Sequence, residues 1–379
     1  MKIAIVCGHF LPSMGYLEVH LANAFHQLNH EVKVITSHVI PSYVKSVGKL
    51  TDDTPYLIER LPAEFTLGQM VKSKGLVNAV ESFDPDLVIC IGVGKLFPQP
   101  LYKLKNRKFK LITLLGDNEE TYTTRSVVKK VKNTLVQQVF KKKVYLQAIR
   151  SSDLLLPYTP STVDIIADFI DKKTATVLKL KSKQISLGFD AEQHFYSKSE
   201  RVEQRKALAI VEEESLLVTA TRVVPEKGLE KIVDLVDAAN KKGVSISYLL
   251  IGFQDDDYGK ELKQYIAQKE FKDKIICKPF SSAEQTRKYY NSADVAIYSR
   301  AAISIFEALS TGLFILLPEQ KNISHILTSE TGIYFESLSI EVLLESIENR
   351  KEGRSKRVNE AKKFSYRNLA KQILELSEV

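Results

Sequence analysis

Short, uninterrupted apolar runs recur along the first half of the chain, and segments of helical periodicity lie between them. Between the run at 3–7 and the run at 32–36, apolar residues recur at the spacing of an amphipathic helix. The order strand, helix, strand is typical of a parallel crossover unit. Runs that are apolar at every position suit strands covered by helices on both faces. The same pattern predicts further strands at 86–92, 110–116 and 153–158.

The alternation restarts in the second half of the 379-residue chain. Two successive sets of strands and helices indicate two doubly wound α/β domains, and the length fits two domains of ordinary size. We place the boundary between Gly188 and about Arg205, where the strand-like segment 183–189 gives way to a charged, poorly periodic stretch. The second set comprises a predicted helix at 228–240 and predicted strands at 216–221, 247–252, 274–280, 294–299 and 313–318.

Composition narrows the class of protein. Apolar residues make up 44% of the chain and charged residues 26%, which is typical of a globular protein and excludes disorder as the main state. Cys7, Cys90 and Cys277 lie far apart, so neither a disulfide framework nor a zinc site is expected, and we interpret them as reduced core residues of a cytosolic protein. The apolar runs are too short for a signal peptide or a transmembrane helix.

Positive charge is concentrated in one segment of a chain that has 54 basic and 46 acidic residues, a balance that favours anionic partners. Between Thr121 and Ser152 there are eight cations and no carboxylate, with apolar residues at roughly helical spacing. A cationic helix packed on its apolar face is one interpretation. We prefer a basic amphipathic helix on an anionic membrane surface, and no nucleic-acid partner is expected because no binding motif accompanies the charge. The lysines assigned to this surface are Lys129, Lys130, Lys132, Lys141, Lys142 and Lys143.

Motifs for the common nucleotide cofactors are missing. The nearest match to the GxGxxG turn of dehydrogenases begins at Gly92, but Phe97 occupies the position of the third glycine. No GxxxxGK[ST] phosphate loop occurs, so nicotinamide and P-loop chemistry are not expected. We interpret the three aspartates at 255–257 as a solvated acidic loop rather than as a metal site. Neither a metal nor a cofactor is expected.

The segment TATRVVPEKGL, residues 219–229, follows the first strand of the second half directly. It places Arg222 and Lys227 at the carboxyl end of that strand, which is where doubly wound sheets bind ligands. A guanidinium fork and an ammonium could clamp a diphosphate there, helped by the N-terminus of the next helix. Two solvated surface cations in a turn are the alternative.

Two weaker signals lie after other strands. Glu307 opens a helix-like run beyond the strand at 294–299, where a carboxylate could accept hydrogen bonds from the two hydroxyls of a ribose; taken alone, an acid that complements the helix dipole is the better explanation. Gly15 lies in the turn after the first strand and allows a close approach of backbone to a ligand. His9 lies in the same loop, and we interpret it as a turn residue.

Together these residues resemble the retaining glycosyltransferases of family 4, which have the two-domain GT-B architecture. The resemblance covers nearly the whole chain and implies that Arg222 and Lys227 bind the donor diphosphate and that Glu307 binds the ribose. Gly15, Phe280 and Ser304 are assigned to the donor site with them. The residues that carry the resemblance are the Gly15 loop, NHEVKVITS at 29–37, SLGFD at 186–190, TATRVVPEKG at 219–228 and FEALSTG at 306–312.

The resemblance also implies the division of labour in the chain. Residues 1–190 would bind the acceptor, a C-terminal helix at about 356–379 would pack back on them, and residues 191–355 would bind the nucleotide sugar. The expected activity is metal-independent transfer of a hexose-type sugar, with retention, from a UDP- or GDP-type donor to a glycan or lipid-linked acceptor, a cell-surface polysaccharide precursor. The expected location is the cytoplasm, peripherally on the inner face of the cell membrane.

Two positions depart from the family pattern. The family's E-x7-E motif places another glutamate eight residues before Glu307, and this chain has Ser299 there. Where the family commonly has a histidine after the fourth strand, the sequence reads LGDNEE, which makes Asp117 and Glu119 the local catalytic candidates. The departures leave a non-catalytic, nucleotide-sugar-binding partner subunit as an alternative. A sugar-nucleotide 2-epimerase is another, although the cleft is poor in histidine.

Overall fold

The structure of the protein, a computed structural model, describes residues 1–40, 52–117, 142–349 and 353–378. By its internal contacts the chain divides into two compact units, Met1–Leu187 with Tyr366–Val379 and Gly188–Ser365. Some of the predicted functional residues lie outside the described residues, namely Glu119, Lys129, Lys130, Lys132 and Lys141.

The first unit contains a parallel sheet, a separate hairpin and surrounding helices. Its strands are β1 (Lys2–Cys7), β2 (Glu31–Ser37), β3 (Leu57–Leu61), β4 (Ala63–Leu67), β5 (Met70–Ser73), β6 (Leu87–Ile91), β7 (Lys110–Leu115) and β8 (Leu154–Pro157). Its helices are α1 (Leu17–Gln27), α2 (Leu76–Phe83), α3 (Lys142–Ser151), α4 (Thr162–Ala167), α5 (Lys172–Lys181) and, at the end of the chain, α13 (Tyr366–Glu378). The sheet has the order β3-β2-β1-β6-β7-β8, and β4 pairs with β5 in antiparallel fashion.

Both faces of this sheet are buried, which explains why its central strands are apolar throughout. Ile3 and Ile5 of β1 belong to one hydrophobic cluster and Ala4 and Val6 to the other, and all four are fully buried. Helices α1 and α13 cover the first face, and α2 and α3 cover the second. Burying each isoleucine side chain contributes about 1.5–3 kcal/mol, so the two-sided burial fixes the sheet between its helices.

The second unit repeats this plan. Its strands are β9 (Ser215–Ala220), β10 (Ile246–Phe253), β11 (Ile275–Pro279), β12 (Val295–Ile297), β13 (Phe314–Pro318) and β14 (Gly332–Phe335). Its helices are α6 (Lys198–Ala207), α7 (Glu230–Lys241), α8 (Asp257–Ala267), α9 (Ala283–Ser292), α10 (Ser304–Ser310), α11 (Ile340–Asn349) and α12 (Arg354–Ala361). The parallel sheet has the order β11-β10-β9-β12-β13-β14.

The two sheets therefore have the same doubly wound topology. In each, the first strand of the sheet lies in the middle, and the strand order changes direction beside it: between β1 and β6 in the first unit and between β9 and β12 in the second. These switch points are where ligands of doubly wound sheets bind, beyond the carboxyl ends of the strands. The ten strands predicted by continuous apolar runs in the two halves are confirmed to within two residues at their ends.

The segment between the two sheets differs from the prediction. The strand-like stretch 183–189 forms no strand, and isolated bridges occur at Ser182, just before it, and at Phe189, its last residue. The division of the chain falls after Leu187, three residues before the expected end of the first domain at residue 190. The charged stretch that follows contains helix α6, whose Arg205 is buried on one side while the other side is solvated. A highly charged helix with so few apolar residues gives almost no periodic signal.

The C-terminal segment is shared between the units. We expect residues 356–379 to pack back on the first domain, whereas α12 belongs to the second unit and α13 alone to the first. Two guanidinium groups hold α12: Nε of Arg354 donates to the Thr311 carbonyl and Nε of Arg357 to the Gly312 carbonyl, both at 2.8 Å. These carbonyls lie just beyond α10, where a helix end needs outside donors, so the arginines satisfy them.

Across the described ranges, no helix is long and apolar enough to cross a membrane. The three cysteines are unpaired: Cys7 and Cys90 are buried, and Cys277 is half-buried. Burial raises the pKa of the Cys90 thiol to about 12, so this thiol is an inert core group.

Candidate functional site

The loop after β9 lies at the switch point of the second sheet. Arg222 is two residues beyond the strand, and its side chain is exposed. Gly252, near the end of β10, passes close to this loop: its φ is +101°, and a side chain there would collide with the carbonyl oxygen of Thr221. Only glycine permits this approach without strain. The approach of β10 thus fixes where the loop leaves the sheet and carries Arg222 into solvent at the carboxyl end.

Lys227 joins this loop to the loop after β12. It is the last residue of the 3-10 turn Pro225–Lys227, and its ammonium donates a hydrogen bond to the carbonyl oxygen of Ala301 at 2.9 Å. In the other direction, the hydroxyl of Ser299 donates to the carbonyl oxygen of Lys227. An ammonium carries three donors, of which this bond uses one. Ser299, at the position of the first glutamate of the E-x7-E pattern, therefore holds the lysine loop in this chain.

Helix α10 begins at the same switch point. The hydroxyl of Ser304 donates to the carbonyl oxygen of Ala220 at 2.6 Å, which joins the first residue of the helix to the last residue of β9. The hydroxyls of Tyr298 and Tyr290 donate to the carbonyl oxygen of Ser304 at 3.0 and 3.3 Å. Ser304, predicted to bind the donor, thus makes an internal bond that positions α10.

Glu307 lies in the first turn of α10, and its side chain is 28% exposed. Burial raises the pKa of its carboxyl to about 7. Nε2 of His194 lies 3.8 Å from Oε1 of Glu307, which is too long for a hydrogen bond but is an ion-pair distance when the imidazole is protonated. His194 is only 5% exposed. Sequence reasoning missed it because it lies in the charged stretch interpreted as the domain boundary.

Phe280 is the most outlying member of the predicted donor site. It directly follows β11, two strands from β9, which places it about 10 Å further along the same end of the sheet. Its ring is 81% exposed. An exposed aromatic ring beyond the carboxyl end of a strand can stack on a planar group such as a nucleobase.

The structure therefore brings most of the predicted donor residues together. Arg222, Lys227, Ser304 and Glu307 surround one switch point, and Phe280 lies on the same end of the sheet. The aspartates at 255–257 take no part: Asp256 caps helix α8 by accepting from the backbone of Gly259 at 2.8 Å. Within the described ranges, no group of three or more His, Cys, Asp and Glu side chains is arranged to hold a metal ion.

In the first unit, Asp117 follows β7 and is 8% exposed. Its carboxylate accepts a hydrogen bond from the hydroxyl of Tyr145, and its carbonyl oxygen accepts one from Thr162 at 2.8 Å. Gly116 before it packs on Tyr158, whose ring would be 2.7 Å from a Cβ. Asp117 therefore anchors the end of β7 to α3 and α4.

The loop after β1 contains Gly15, which is exposed and lies two residues before the start of α1. His9 is buried rather than a surface turn residue, because its ring contacts the carbonyl oxygens of Val39 and Gln69 at 3.1 and 3.3 Å. Glu18, in the first turn of α1, has a raised carboxyl pKa because of burial, against the opposing charge of Lys95. Local sequence gave no reason to single out Glu18.

Of the six lysines assigned to a membrane surface, Lys142 and Lys143 lie within the described part, as the first two residues of α3. The apolar side of α3 packs inside the first unit through Val144, Tyr145, Ala148 and Ile149. This part of the basic segment thus packs as the cationic-helix interpretation expects. Helix α5 contacts α3 and carries further exposed lysines, Lys172, Lys173 and Lys179.

Solved structures cover the chain from end to end. The structure of HepE from Anabaena in complex with UDP and glucose superposes with a TM-score of 0.70 at 17% identity, over 100% of both chains. Sucrose-phosphate synthase from Thermosynechococcus elongatus gives 0.68 at 15% identity, over 100% of this chain and 98% of the other. The protein has the GT-B fold.

Further comparisons agree with the GT-B fold. The catalytic domain of starch synthase IV from Arabidopsis thaliana, bound to ADP and acarbose, gives a TM-score of 0.62 at 14% identity, over 100% of this chain and 98% of that one. Residues 200–368 match the family model described as "Glycosyl transferases group 1", which covers most of the second unit. No curated protein sequence matches the chain significantly.

Proposed function

We propose that the protein is a glycosyltransferase that moves a hexose-type sugar from a nucleoside diphosphate sugar to an acceptor hydroxyl, with retention and without a metal. The observation that carries this proposal is the meeting of Arg222, Lys227 and Glu307 at the switch point of the second sheet. The match of the second unit to a glycosyltransferase family model supports it. The UDP and ADP complexes of the similar structures support a nucleotide donor of this type.

In this proposal the two cations stabilise the leaving group. The bond between the anomeric carbon and the diphosphate oxygen breaks, the acceptor oxygen bonds to the same face of that carbon, and the acceptor's proton leaves with the diphosphate. Negative charge grows on the diphosphate as the bond breaks, and Arg222 and Lys227 are the groups placed to balance it. The exposed guanidinium of Arg222 can form a bidentate pair with phosphate oxygens.

The remaining donor contacts follow the geometry of the sheet end. Glu307 would accept hydrogen bonds from the two ribose hydroxyls, and Phe280 would stack on the base of a UDP- or GDP-type donor. Ser299 cannot replace a glutamate as a carboxylate partner of the sugar, and its hydroxyl donates to Lys227 instead. The donor sugar would therefore contact one carboxylate fewer than in the family's E-x7-E pattern. In exchange, the Ser299 hydroxyl fixes the position of the lysine loop.

We assign the acceptor to the first unit, with Asp117 and Glu119 as its candidate contacts. The buried bond to Tyr145 makes Asp117 an anchor for this region. A glycan or lipid-linked acceptor, a precursor of a cell-surface polysaccharide, would suit the basic surface of α3 and α5. Leu180 of α5 is 76% exposed among these lysines, which favours docking on an anionic membrane at the cytoplasmic face.

Incubation with donors tests the activity. The protein is screened by thermal unfolding against UDP, GDP and ADP, and the stabilising nucleotide selects the sugar donors to be followed by NMR. A nucleotide at one hundred times its dissociation constant should add about 2.7 kcal/mol to the free energy of unfolding. If the Arg222→Ala/Lys227→Ala variant loses this stabilisation, the nucleotide binds at the proposed site. Release of the nucleoside diphosphate with transfer of the sugar supports the enzyme, whereas nucleotide binding without turnover favours the partner subunit suggested by Ser299. A donor changed only at C2 of its sugar would indicate the epimerase.

A further inference from the structure

The segment that precedes α6 is fastened to helix α9. The guanidinium of Arg287 donates to the carbonyl oxygen of Gln193 at 3.0 Å and stacks over the ring of Phe195, with 4.3 Å from Cζ to the ring centre. The amide of Asn291 donates to the carbonyl oxygen of Phe195 at 3.1 Å and accepts from the backbone of Ser197, also at 3.1 Å. The residues on both sides of His194 are thus held on the second unit.

The backbone around His194 is also fixed locally. Its own N–H donates to the carbonyl oxygen of Asp190 at 2.8 Å, and the Asp190 carboxylate accepts from the backbone of Glu192 at 2.9 Å and from the side chain of Gln193 at 3.0 Å. This turn directs the buried imidazole toward α10. Nε2 then lies 3.8 Å from Oε1 of Glu307.

Two tyrosine hydroxyls also lie near Glu307. The hydroxyls of Tyr290, from α9, and Tyr298, from the end of β12, have pKa values raised by burial, with the nearby Glu307 charge adding to the effect. Both hydroxyls donate to the carbonyl oxygen of Ser304 rather than to Glu307. His194, when protonated, therefore lies at ion-pair distance from the Glu307 carboxylate.

We propose that His194 is a positioning residue for nucleoside recognition, which orients the Glu307 carboxylate and stabilises its ionised form so that both oxygens can receive the ribose hydroxyls. The inference rests on the proposed function, since it needs a ribose at Glu307. It gives the stretch 189–197 a role in the donor site, although this stretch contributes no strand to the sheet.

The test compares nucleotides with and without ribose hydroxyls. Dissociation constants are measured by calorimetry for the best-binding nucleoside diphosphate and for its 2′,3′-dideoxy analogue, with wild type, His194→Leu, His194→Gln and the surface control Glu192→Gln. His194→Leu should weaken the ribonucleotide about tenfold and leave the dideoxy analogue within about twofold, because only the former uses Glu307. His194→Gln keeps a neutral N–H donor and should recover part of the loss.

The pH profile separates positioning from a structural role. In wild type, affinity for the ribonucleotide should rise as Glu307 ionises, and in His194→Leu the midpoint of that rise should move to higher pH, since a cation no longer favours the carboxylate. Equal weakening of both nucleotides, or an unmoved midpoint, would overturn the inference while leaving the proposed function intact. If the wild type binds no nucleotide, both the proposed function and the role of His194, which depends on it, are overturned.

Discussion

The hydroxyl of Ser299 donates a hydrogen bond to the carbonyl oxygen of Lys227 and so joins two loops of the second sheet. The Lys227 ammonium donates in return to the carbonyl oxygen of Ala301, two residues beyond the serine. A long cation that would otherwise be mobile is thereby held beside the switch point. Part of the entropy of ordering Lys227 is lost on folding rather than on binding, so the site is preorganised for an anion.

This link predicts the effect of Ser299→Ala. Loss of the hydroxyl should release the Lys227 loop and lower kcat/KM about tenfold. The free energy of unfolding should change by only about 1 kcal/mol. The matched control is Ser324→Ala, which removes an exposed hydroxyl bonded to the carbonyl oxygen of Lys321. Initial rates over a donor series measure the effect. If both variants retain wild-type kcat/KM, the link has no part in donor binding.

Arg222→Ala should affect catalysis and spare the fold. The side chain is exposed, so the free energy of unfolding should stay within about 0.5 kcal/mol of wild type. By contrast, kcat/KM should fall about 100-fold or more with the loss of a charge opposite the leaving group. Lys231→Ala, which removes an exposed cation from the first turn of α7, serves as the control. Steady-state kinetics and thermal unfolding are measured together. A loss shared equally by the control would point to long-range charge rather than to Arg222.

Glu307→Gln should separate stability from binding. Burial raises the pKa of this carboxyl to about 7, from an ordinary value of 4.5, so the fold favours the protonated form. The free energy of unfolding therefore has its full value below about pH 4.5 and falls as pH rises through 7, where the buried carboxyl of Glu307 ionises. The variant should equal wild type near pH 4.5 and exceed it at pH 8 by on the order of 1–3 kcal/mol.

The same substitution should weaken nucleotide binding at pH 8 about tenfold or more, because an amide offers one acceptor oxygen where the carboxylate offers two. Chemical unfolding at several pH values and calorimetry with the nucleotide supply the two readouts. A variant that is less stable than wild type at pH 8 would show that the carboxylate has stabilising partners at that pH.

Phe280→Ala tests the nucleobase contact. Because the ring is exposed, stability should be unaffected, and the dissociation constant for the nucleotide should rise about fivefold or more, as expected for the loss of one stacked base. Val211→Ala, also at an exposed apolar residue of the second unit, is the control. Should the affinity for the nucleotide remain at the wild-type value, the base lies elsewhere along the sheet.

The membrane surface is tested with vesicles. A triple change of Lys172, Lys173 and Lys179 to Gln should reduce binding to phosphatidylglycerol vesicles about tenfold or more, since each cation near an anionic surface contributes about 1 kcal/mol. The control changes three exposed lysines of the second unit and therefore removes the same charge: Lys198, Lys206 and Lys242 to Gln. Sedimentation with phosphatidylglycerol and with phosphatidylcholine vesicles measures both. Equal losses in the two variants would indicate net charge alone, without a defined surface.

The positions of most residues of the proposed donor site could be predicted because these residues follow strands closely. Arg222 comes two residues after a fully apolar run, and parallel strands that share a sheet bring their carboxyl ends to the same side. Ser304 was assigned to the donor site with the family resemblance, whereas its hydroxyl bond to Ala220 depends on contacts between two separate segments. The basic segment was harder to interpret, since amphipathic periodicity is the same for a helix that packs inside a protein and for one that lies on a membrane.

The sequence by itself determined the two doubly wound sheets, because a strand that is apolar on both faces is stable only when helices cover both. It also determined which loops extend beyond the carboxyl ends of the strands. The tertiary structure alone decided that α12 stays with the second unit, that Asp117 is an anchor bonded to Tyr145, and that His194 lies beside Glu307. These outcomes depend on distances between residues remote in the chain, and local periodicity carries no information about them.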